Sequence, residues 1–297
     1  MSTIIQSNLL CKEYKKNKAL KEVNIEIEAG QVVGLLGKNG AGKTTLNKII
    51  TGLTFPSAGS IEVFGKEPVG GDKRIGFLSE NIALYPHLSA KENLEISLLQ
   101  NGHSPNRKQI NHILDTVSID NTRKKAKDFS LGMKRRLQVA MTILTSERDL
   151  LILDEPTNGL DLDGVMWLKK MVSECKAQGK TILLSSHSIE QMEDILTDYF
   201  ILHKGNVVDT GKVDIHNNDL ITLELKKEDL SLAIQLLDTT NSTYIQENTD
   251  LHIVLHHEYM YYLQILNSNG IYPIAYNLKR KTLVDRFHQF TGGEKGA

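Results

Sequence analysis

The residues whose types and spacing suit chemistry begin with an unbroken run of nine: Gly37, Lys38, Asn39, Gly40, Ala41, Gly42, Lys43, Thr44 and Thr45. The run fits Gly-x-x-x-x-Gly-Lys-Ser/Thr in full. Its glycines let the backbone curl so that successive N–H groups converge on phosphate oxygens. Lys43 is spaced to reach the β- and γ-phosphates, and the Thr44 hydroxyl to take one coordination position on Mg²⁺. A second group is Asp154-Glu155. The first carboxylate suits Mg²⁺, directly or through water, and the second can polarise an attacking water. His187 closes another apolar run and is placed to reach a γ-phosphate, although a single histidine in a sequence has many blander uses. These groups predict a site for a nucleoside triphosphate with Mg²⁺.

Such groups need a sheet to carry them. Gln31-Val32-Val33-Gly34-Leu35-Leu36 reads as a buried strand entering the glycine run, and Leu46-Asn47-Lys48-Ile49-Ile50 as the start of a helix leaving it. That strand–loop–helix context separates a P-loop from a chance glycine cluster. Leu150 to Leu153 is an uninterrupted apolar strand delivering Asp154 and Glu155 at its end, as a nucleotide site in an α/β sheet requires. Thr181 to Leu184 is a further strand, ending at Ser185-Ser186-His187. The remaining pattern predicts a strand pair over residues 1–30, with Ile25 and Ile27 alternating with acids and amides. Strands are expected at 60–64 and 74–78, the latter running into Ser79-Glu80. Ser89 with Glu92 resembles a capping box opening a helix, and further helices are expected at 109–117, 134–146, 165–178 and 189–196. A hairpin is expected across Lys204-Gly205. Tyr14 can offer a ring face to an adenine, although one tyrosine there also suits plain packing.

The chain has 297 residues, enough for one large domain and a smaller one. With 40% hydrophobic and 24% charged residues it reads as an ordinary soluble globular protein. The net charge of −1 gives a nucleic-acid partner no electrostatic support, and the run Lys124, Lys125, Lys127 reads as a solvated face. The cysteines Cys11 and Cys175 match no metal or redox spacing and are expected to be reduced thiols. Met1 to Leu10 lacks a basic start followed by an apolar stretch, so no secretion signal is expected. No apolar run approaches the ~20 residues that cross a bilayer, so a membrane role would need spans from another chain.

In this order the motifs closely resemble the ATP-binding subunits of ABC transporters, over roughly residues 1–215. By that resemblance Tyr14 matches the adenine-stacking aromatic and Gly37 to Thr45 the P-loop. Glu80 falls where the family usually has a glutamine touching Mg²⁺ and the attacking water. Phe129-Ser130-Leu131-Gly132-Met133 matches the signature usually written Leu-Ser-Gly-Gly-Gln. Asp154 and Glu155 match the carboxylate motif, Asp161 in Gly159-Leu160-Asp161 the dimer-contacting loop, and His187 the switch histidine. The implied fold is a P-loop ATPase domain of ABC type with a helical subdomain at about 84–147. The implied assembly is a head-to-tail homodimer with two ATP molecules sandwiched between subunits. Each nucleotide would lie on one P-loop and against Ser130, Gly132 and Met133 of the other subunit. Ser130 opens a helix, so its hydroxyl and the following N–H groups suit a γ-phosphate. Glu80 for glutamine, Leu131 for glycine and Met133 for glutamine depart from the usual pattern. Within the family, the glutamate and the Ser-Leu-Gly-Met signature resemble the antibiotic-export branch, which includes bacitracin-resistance and lantibiotic-immunity transporters. Asn81 to Leu88 is similar to that branch's segment beside the membrane-subunit contact. The resemblance implies a cytoplasmic ATPase at the inner membrane face, touching the membrane only through a separate permease, with no nucleic-acid partner.

Residues 216–297 follow a polar linker at 215–219. Strands at 221–225, 243–247, 251–255 and 271–276 alternate with helices at 230–237 and 259–266, and a last helix covers 282–290. This β-α-β-β-α-β order is that of a small ferredoxin-like α+β domain. His252, His256 and His257 are not read as a metal site, since His252 and His256 fall on the exposed face of a strand, and Tyr259, Tyr261 and Tyr262 are read as packing. The runner-up functions are an importer ATPase whose tail senses solute, against which Glu80 and Leu131 argue, and an ABC ATPase without a transporter. One P-loop, and too short an interval between Lys43 and Asp154 for inserted coiled coils, argue against the latter. Glu155 and His187 argue against a catalytically dead module.

Overall fold

The computed structural model describes residues 2–15, 17–80, 84–119, 123–143, 148–187, 190–213, 220–240, 242–255, 259–279 and 282–292. The chain separates into two compact units, Met1–Lys212 with Phe290–Ala297, and Val213–Gln289.

The first unit opens with β1 (Thr3–Tyr14), β2 (Asn17–Val23) and β3 (Glu26–Glu28), three strands where the pattern suggests two. The third is short, because the Ile25 and Ile27 alternation runs only three residues before the Ala29-Gly30 turn. Then come β4 (Val32–Leu36), α1 (Lys43–Ile50), β5 (Ala58–Val63) and β6 (Ile75–Leu78), followed by α2 (Ala90–Gln100), α3 (Arg107–Thr116) and α4 (Leu131–Ile143). β7 (Leu150–Asp154), α5 (Leu162–Ala177), β8 (Thr181–Ser186), β9 (Asp198–His203) and β10 (Asn206–Lys212) complete the unit. The helix expected at 189–196 is a correction: among the described residues of that stretch, which start at 190, there is only a 3-10 turn at Glu193–Ile195. The turn ends because Leu196 is already extended, at ψ 146°, and Thr197 N–H bonds to Val32 O at 2.7 Å, which draws the chain into the sheet beside β4.

Among the described residues, six strands form one sheet in the order β10-β9-β4-β8-β7-β6. β9, β4, β8, β7 and β6 are parallel, and β10 closes the edge antiparallel, as a hairpin must. Every residue of β4, β7 and β8 is buried, which explains their unbroken apolar runs: parallel strands are covered on both faces. A second sheet pairs β1 with β2, β3 and β5. Ile5, Leu10, Leu20 and Ile27 of that sheet share a core with Val33 and Leu35, with Leu46, Ile49 and Ile50 of α1, and with Ile152 and Leu183.

α2, α3 and α4 bury Leu94, Leu98, Ile110, Ile113, Leu114, Val117, Leu137 and Ala140 in a separate core. The capping box is present: the Ser89 hydroxyl accepts from Glu92 N–H at 3.3 Å, and Glu92 Oε2 accepts from Ser89 N–H at 2.6 Å. The predicted end of α4 at Ser146 and residues 81–83 of the Asn81–Leu88 segment lie outside the described residues.

The second unit contains β11 (Leu220–Glu224), α6 (Leu230–Thr239), β12 (Tyr244–Glu247), β13 (Asp250–Val254), α7 (Tyr259–Ser268), β14 (Ala275–Lys279) and most of α8 (Leu283–Thr291). The β-α-β-β-α-β order is observed, in an antiparallel sheet ordered β12-β13-β11-β14. Its last strand starts four residues later than expected. The Ile271 side chain is buried, but Pro273 cannot donate to a ladder, so pairing with β11 begins at Ala275. Tyr262, Leu266, Ile221, Leu223, Leu251 and Ile253 fill the core. Tyr259 stacks on Tyr276 with centroids 6.3 Å apart, and Tyr261, partly exposed, meets the buried Tyr262 edge-on at 5.4 Å, so the rings expected to pack do so. His252 sits between buried Leu251 and Ile253 on the opposite face, its Nδ1 2.9 Å from the Thr222 hydroxyl. His256, His257 and the linker at 215–219 lie outside the described residues.

Candidate nucleotide-binding site

Four neighbouring strands, β4, β8, β7 and β6, point their C-terminal ends the same way. They deliver the P-loop, His187, Asp154-Glu155 and Glu80 to one edge of the sheet, where open α/β sheets bind ligands. The sequence order of these groups is loop, Glu80, Asp154, His187; the crossovers bring the last of them beside the first.

The loop is shaped by glycines at the positions that require them. Gly42 caps α1 in the left-handed region at φ 115°, where an added Cβ would meet Ala19 O at 2.6 Å and Leu20 Cδ2 at 2.9 Å. Gly37 leaves β4 so close to the β9–β10 hairpin that a Cβ would lie 2.7 Å from Leu202 O. A glycine cap brings no side chain to the first-turn amides of α1, which leaves them suited to an anion.

The Lys43 ammonium is buried and donates to Gly37 O at 2.5 Å while pairing with Glu155 Oε1 at 3.2 Å. Glu155, 7% exposed, also places Oε2 2.7 Å from His187 Nδ1 and accepts from His187 N–H at 3.3 Å. The general-base candidate is therefore held between a P-loop cation and the switch-histidine candidate. The Thr44 hydroxyl donates to Asp154 Oδ2 at 2.9 Å. Asp154 Oδ1 accepts from Asn47 Nδ2 at 3.2 Å and from the Ser185 hydroxyl. Asn47, wholly buried, donates to Ser185 Oγ as well, at 3.0 Å. Sequence reasoning missed Asn47 and Ser185. Their signal was polar residues inside apolar runs, one on the P-loop helix and one at a strand end.

A cleft of about 780 Å³ opens over this edge. Tyr14, Lys38 to Thr45, Glu80, Glu155, Asn158 and His187 line it, together with Lys18, Lys21 and Lys204. Its five lysines give it the positive field a polyphosphate needs. Tyr14 is 44% exposed at one end, with Lys12 Nζ 5.0 Å from its ring centroid. The donor set also fits a hard divalent cation: Asp154, 1% exposed, lies behind the lining but its carboxylate accepts from the Thr44 hydroxyl, which with Glu80 is in the lining.

Ser130, Gly132, Met133 and Asp161 are not among the lining residues. Ser130 opens α4, its hydroxyl accepting from Met133 N–H at 3.2 Å. Asp161 Oδ1 caps α5 through Gly164 N–H at 2.9 Å and pairs with Arg136 at 3.0 Å. Those two contacts, the amide first, hold its carboxyl below the ordinary range. Leu131 has a definite neighbour: it lies over Gly159, whose Cβ, if present, would fall 2.6 Å from Leu131 Cγ. Leu131, one of the two departures from the family signature, thus packs on the loop carrying Asp161.

Comparison with known proteins agrees with this geometry. The family model described as ABC transporter matches residues 20–158. The bacitracin transport ATP-binding protein BcrA of Bacillus licheniformis is 33% identical over 305 aligned positions, covering 99% of each chain. The lantibiotic transport ATP-binding protein SrtF of Streptococcus pyogenes is 39% identical over 201 positions, covering 67% of this chain and 86% of its own. Among solved structures, a dimeric ATP-binding cassette bound to ADP and phosphate superposes with a TM-score of 0.65 at 24% identity, over 71% of this chain and 99% of that one. Among the described residues no helix is long and apolar enough to cross a membrane. With its P-loop, paired carboxylates and histidine gathered on one sheet edge, the chain belongs to the ABC transporter ATP-binding proteins, the ATPase subunits of those transporters.

Proposed function

We propose that this ATPase binds ATP with Mg²⁺ in the lysine-lined cleft and drives export of a membrane-acting peptide antibiotic through a separate permease. The observation that carries the site is the Glu155 carboxylate, fixed between Lys43 at 3.2 Å and His187 at 2.7 Å. ATP entering the cleft offers its γ-phosphate to Lys43, which frees Glu155 to accept a proton from the attacking water. Protonated at Nδ1 or Nε2, His187 donates to the phosphate oxygens and senses their loss. Thr44, Asp154 and Glu80 would hold Mg²⁺, which neutralises charge on the phosphates. Tyr14 stacks the base.

Ser130, Gly132 and Met133 complete the site of a second copy, with Asp161 contacting across the interface. Their position away from the lining of their own cleft supports that reading, as does the dimeric cassette of similar fold. Residues 1–215 form the ATPase domain and 216–297 an accessory domain. The protein works at the cytoplasmic membrane face by way of its permease. The export substrate follows from whole-length similarity to a bacitracin transport protein together with the lantibiotic relative.

The test is antibiotic sensitivity in the native cell. Deletion followed by restoration with the intact chain, but not with Glu155→Gln, is expected to return resistance to bacitracin or to one lantibiotic. In purified protein the same substitution is expected to lower ATP turnover by at least ~100-fold while ATP still binds. Equal resistance with and without the chain for every peptide tried refutes the substrate class. Near-normal turnover by Glu155→Gln refutes the role given to Glu155.

A further inference from the structure

One charged side chain at the site has no part in the roles above. Arg135 stands on α4, five residues after Ser130, and is 4% exposed. It does not line the cleft. Its guanidinium reaches under the end of β7, where Nη2 donates to Asp154 O at 2.8 Å and to Glu155 O, and Nε donates to Pro156 O at 3.3 Å. Three consecutive carbonyls are thus gathered by one planar fork, a geometry only arginine supplies. Burial lowers the guanidinium pKa, and the charges of Asp154, Glu80 and Glu155 oppose that shift.

What the fork holds is an unusual backbone. Glu155 has φ 49°, in the left-handed region where residues with a side chain sit only under constraint. Glu155 N–H donates to Ser185 O at 2.9 Å, and Asn158 N–H to Glu155 O at 3.2 Å. With the amide taken by β8 and the carbonyl by Arg135 and Asn158, the residue is turned so that its carboxylate meets Lys43 and His187.

We propose that Arg135 is a positioning residue for ATP hydrolysis: it fixes the Asp154-Glu155-Pro156 turn and ties the aim of Glu155 to the helix that Ser130 caps. The neighbouring Arg136 makes a second tie from the same helix, to Asp161 at 3.0 Å. Contact of Ser130 with a nucleotide on another subunit therefore bears on a helix bonded directly to the turn behind Glu155. The inference rests on the reading of Glu155 as the base.

The experiment compares the full-length wild type with Arg135→Met, Arg135→Lys, Glu155→Gln and Arg148→Lys, measuring kcat, KM, ATP affinity and the thermal midpoint. Arg148 is the structural reference, half-buried, with its guanidinium donating to Asn101 Oδ1 at 2.7 Å outside the site. Arg135→Met is expected to lower kcat on the order of 100-fold, with ATP affinity held within about twofold, as displacement of a positioned base requires. Arg135→Lys keeps the charge and part of the bonding and is expected to fall between. If Arg135→Met fails to fold, Arg135→Lys decides by the same split. A kcat within about twofold of wild type in the folded Arg135 variants, or losses that merely track the thermal midpoint as in Arg148→Lys, overturns the proposal. Near-normal turnover by Glu155→Gln instead removes the reading of Glu155 on which it rests.

Discussion

At the scale of single residues, Gly159 and Leu131 show how a departure from a family pattern can be accommodated. Gly159 has φ 82° and lies under Leu131, so an alanine there meets both backbone strain and a side chain. Which matters more follows from exposure: Leu131 is 68% exposed and can turn away, whereas the backbone cannot. Gly159→Ala is therefore expected to cost about 1–2 kcal/mol in chemical denaturation, the usual penalty of a left-handed non-glycine residue. Placing it in a Leu131→Ala background should change that loss by less than about 0.5 kcal/mol. A larger coupling would mean that Leu131 is held in place by contacts other than Gly159.

Among the elements, α2 starts on a reciprocal box in which the Glu92 carboxylate takes one half. Glu92 is held down to a pKa of about 2, first by the Ser89 N–H, then by the Ser89 hydroxyl and the Lys125 ammonium 3.2 Å away. Its folded pKa lies below its ordinary value of 4.5, so the contribution is complete above that value and disappears as pH falls through about 2. Wild type is thus expected to melt above Glu92→Gln at neutral pH, the gap closing between pH 4.5 and 2. A gap constant across that window, measured by thermal scans, would show that the capping carboxylate contributes nothing through its charge. α4 differs, since Ser130 caps it, Arg135 bonds to the turn behind Glu155 and Arg136 pairs with Asp161, so its sequence is constrained along its length rather than only at its start.

Over the whole molecule, separate cores predict separate responses. Tyr262 is fully buried among Leu223, Leu251, Ile253 and Leu266, all within the second unit. Tyr262→Ala is expected to cost roughly 3–5 kcal/mol there, the range for large aromatic truncations. Amide exchange should accelerate across 220–279 while β4 and α1 keep their protection. Acceleration in β4 as well would show the two cores to be one cooperative unit.

What the sequence determined by itself was local chemistry and local periodicity. The P-loop, the buried strands before Asp154 and His187, the Ser89–Glu92 box and the β-α-β-β-α-β order were legible because each depends on residues within a few positions of one another. The short segments were least legible: 189–196 carries helical formers but its described part, 190–196, folds only one 3-10 turn, and 271–276 pairs late because Pro273 cannot donate. The tertiary structure alone decided the strand order, which seats β8 between β4 and β7 and so places His187 2.7 Å from Glu155. It also decided the uses of Asn47, Ser185 and Arg135. A buried polar side chain must find its partner wherever the fold provides one, and those partners lie tens of residues or more away along the chain, beyond any local pattern.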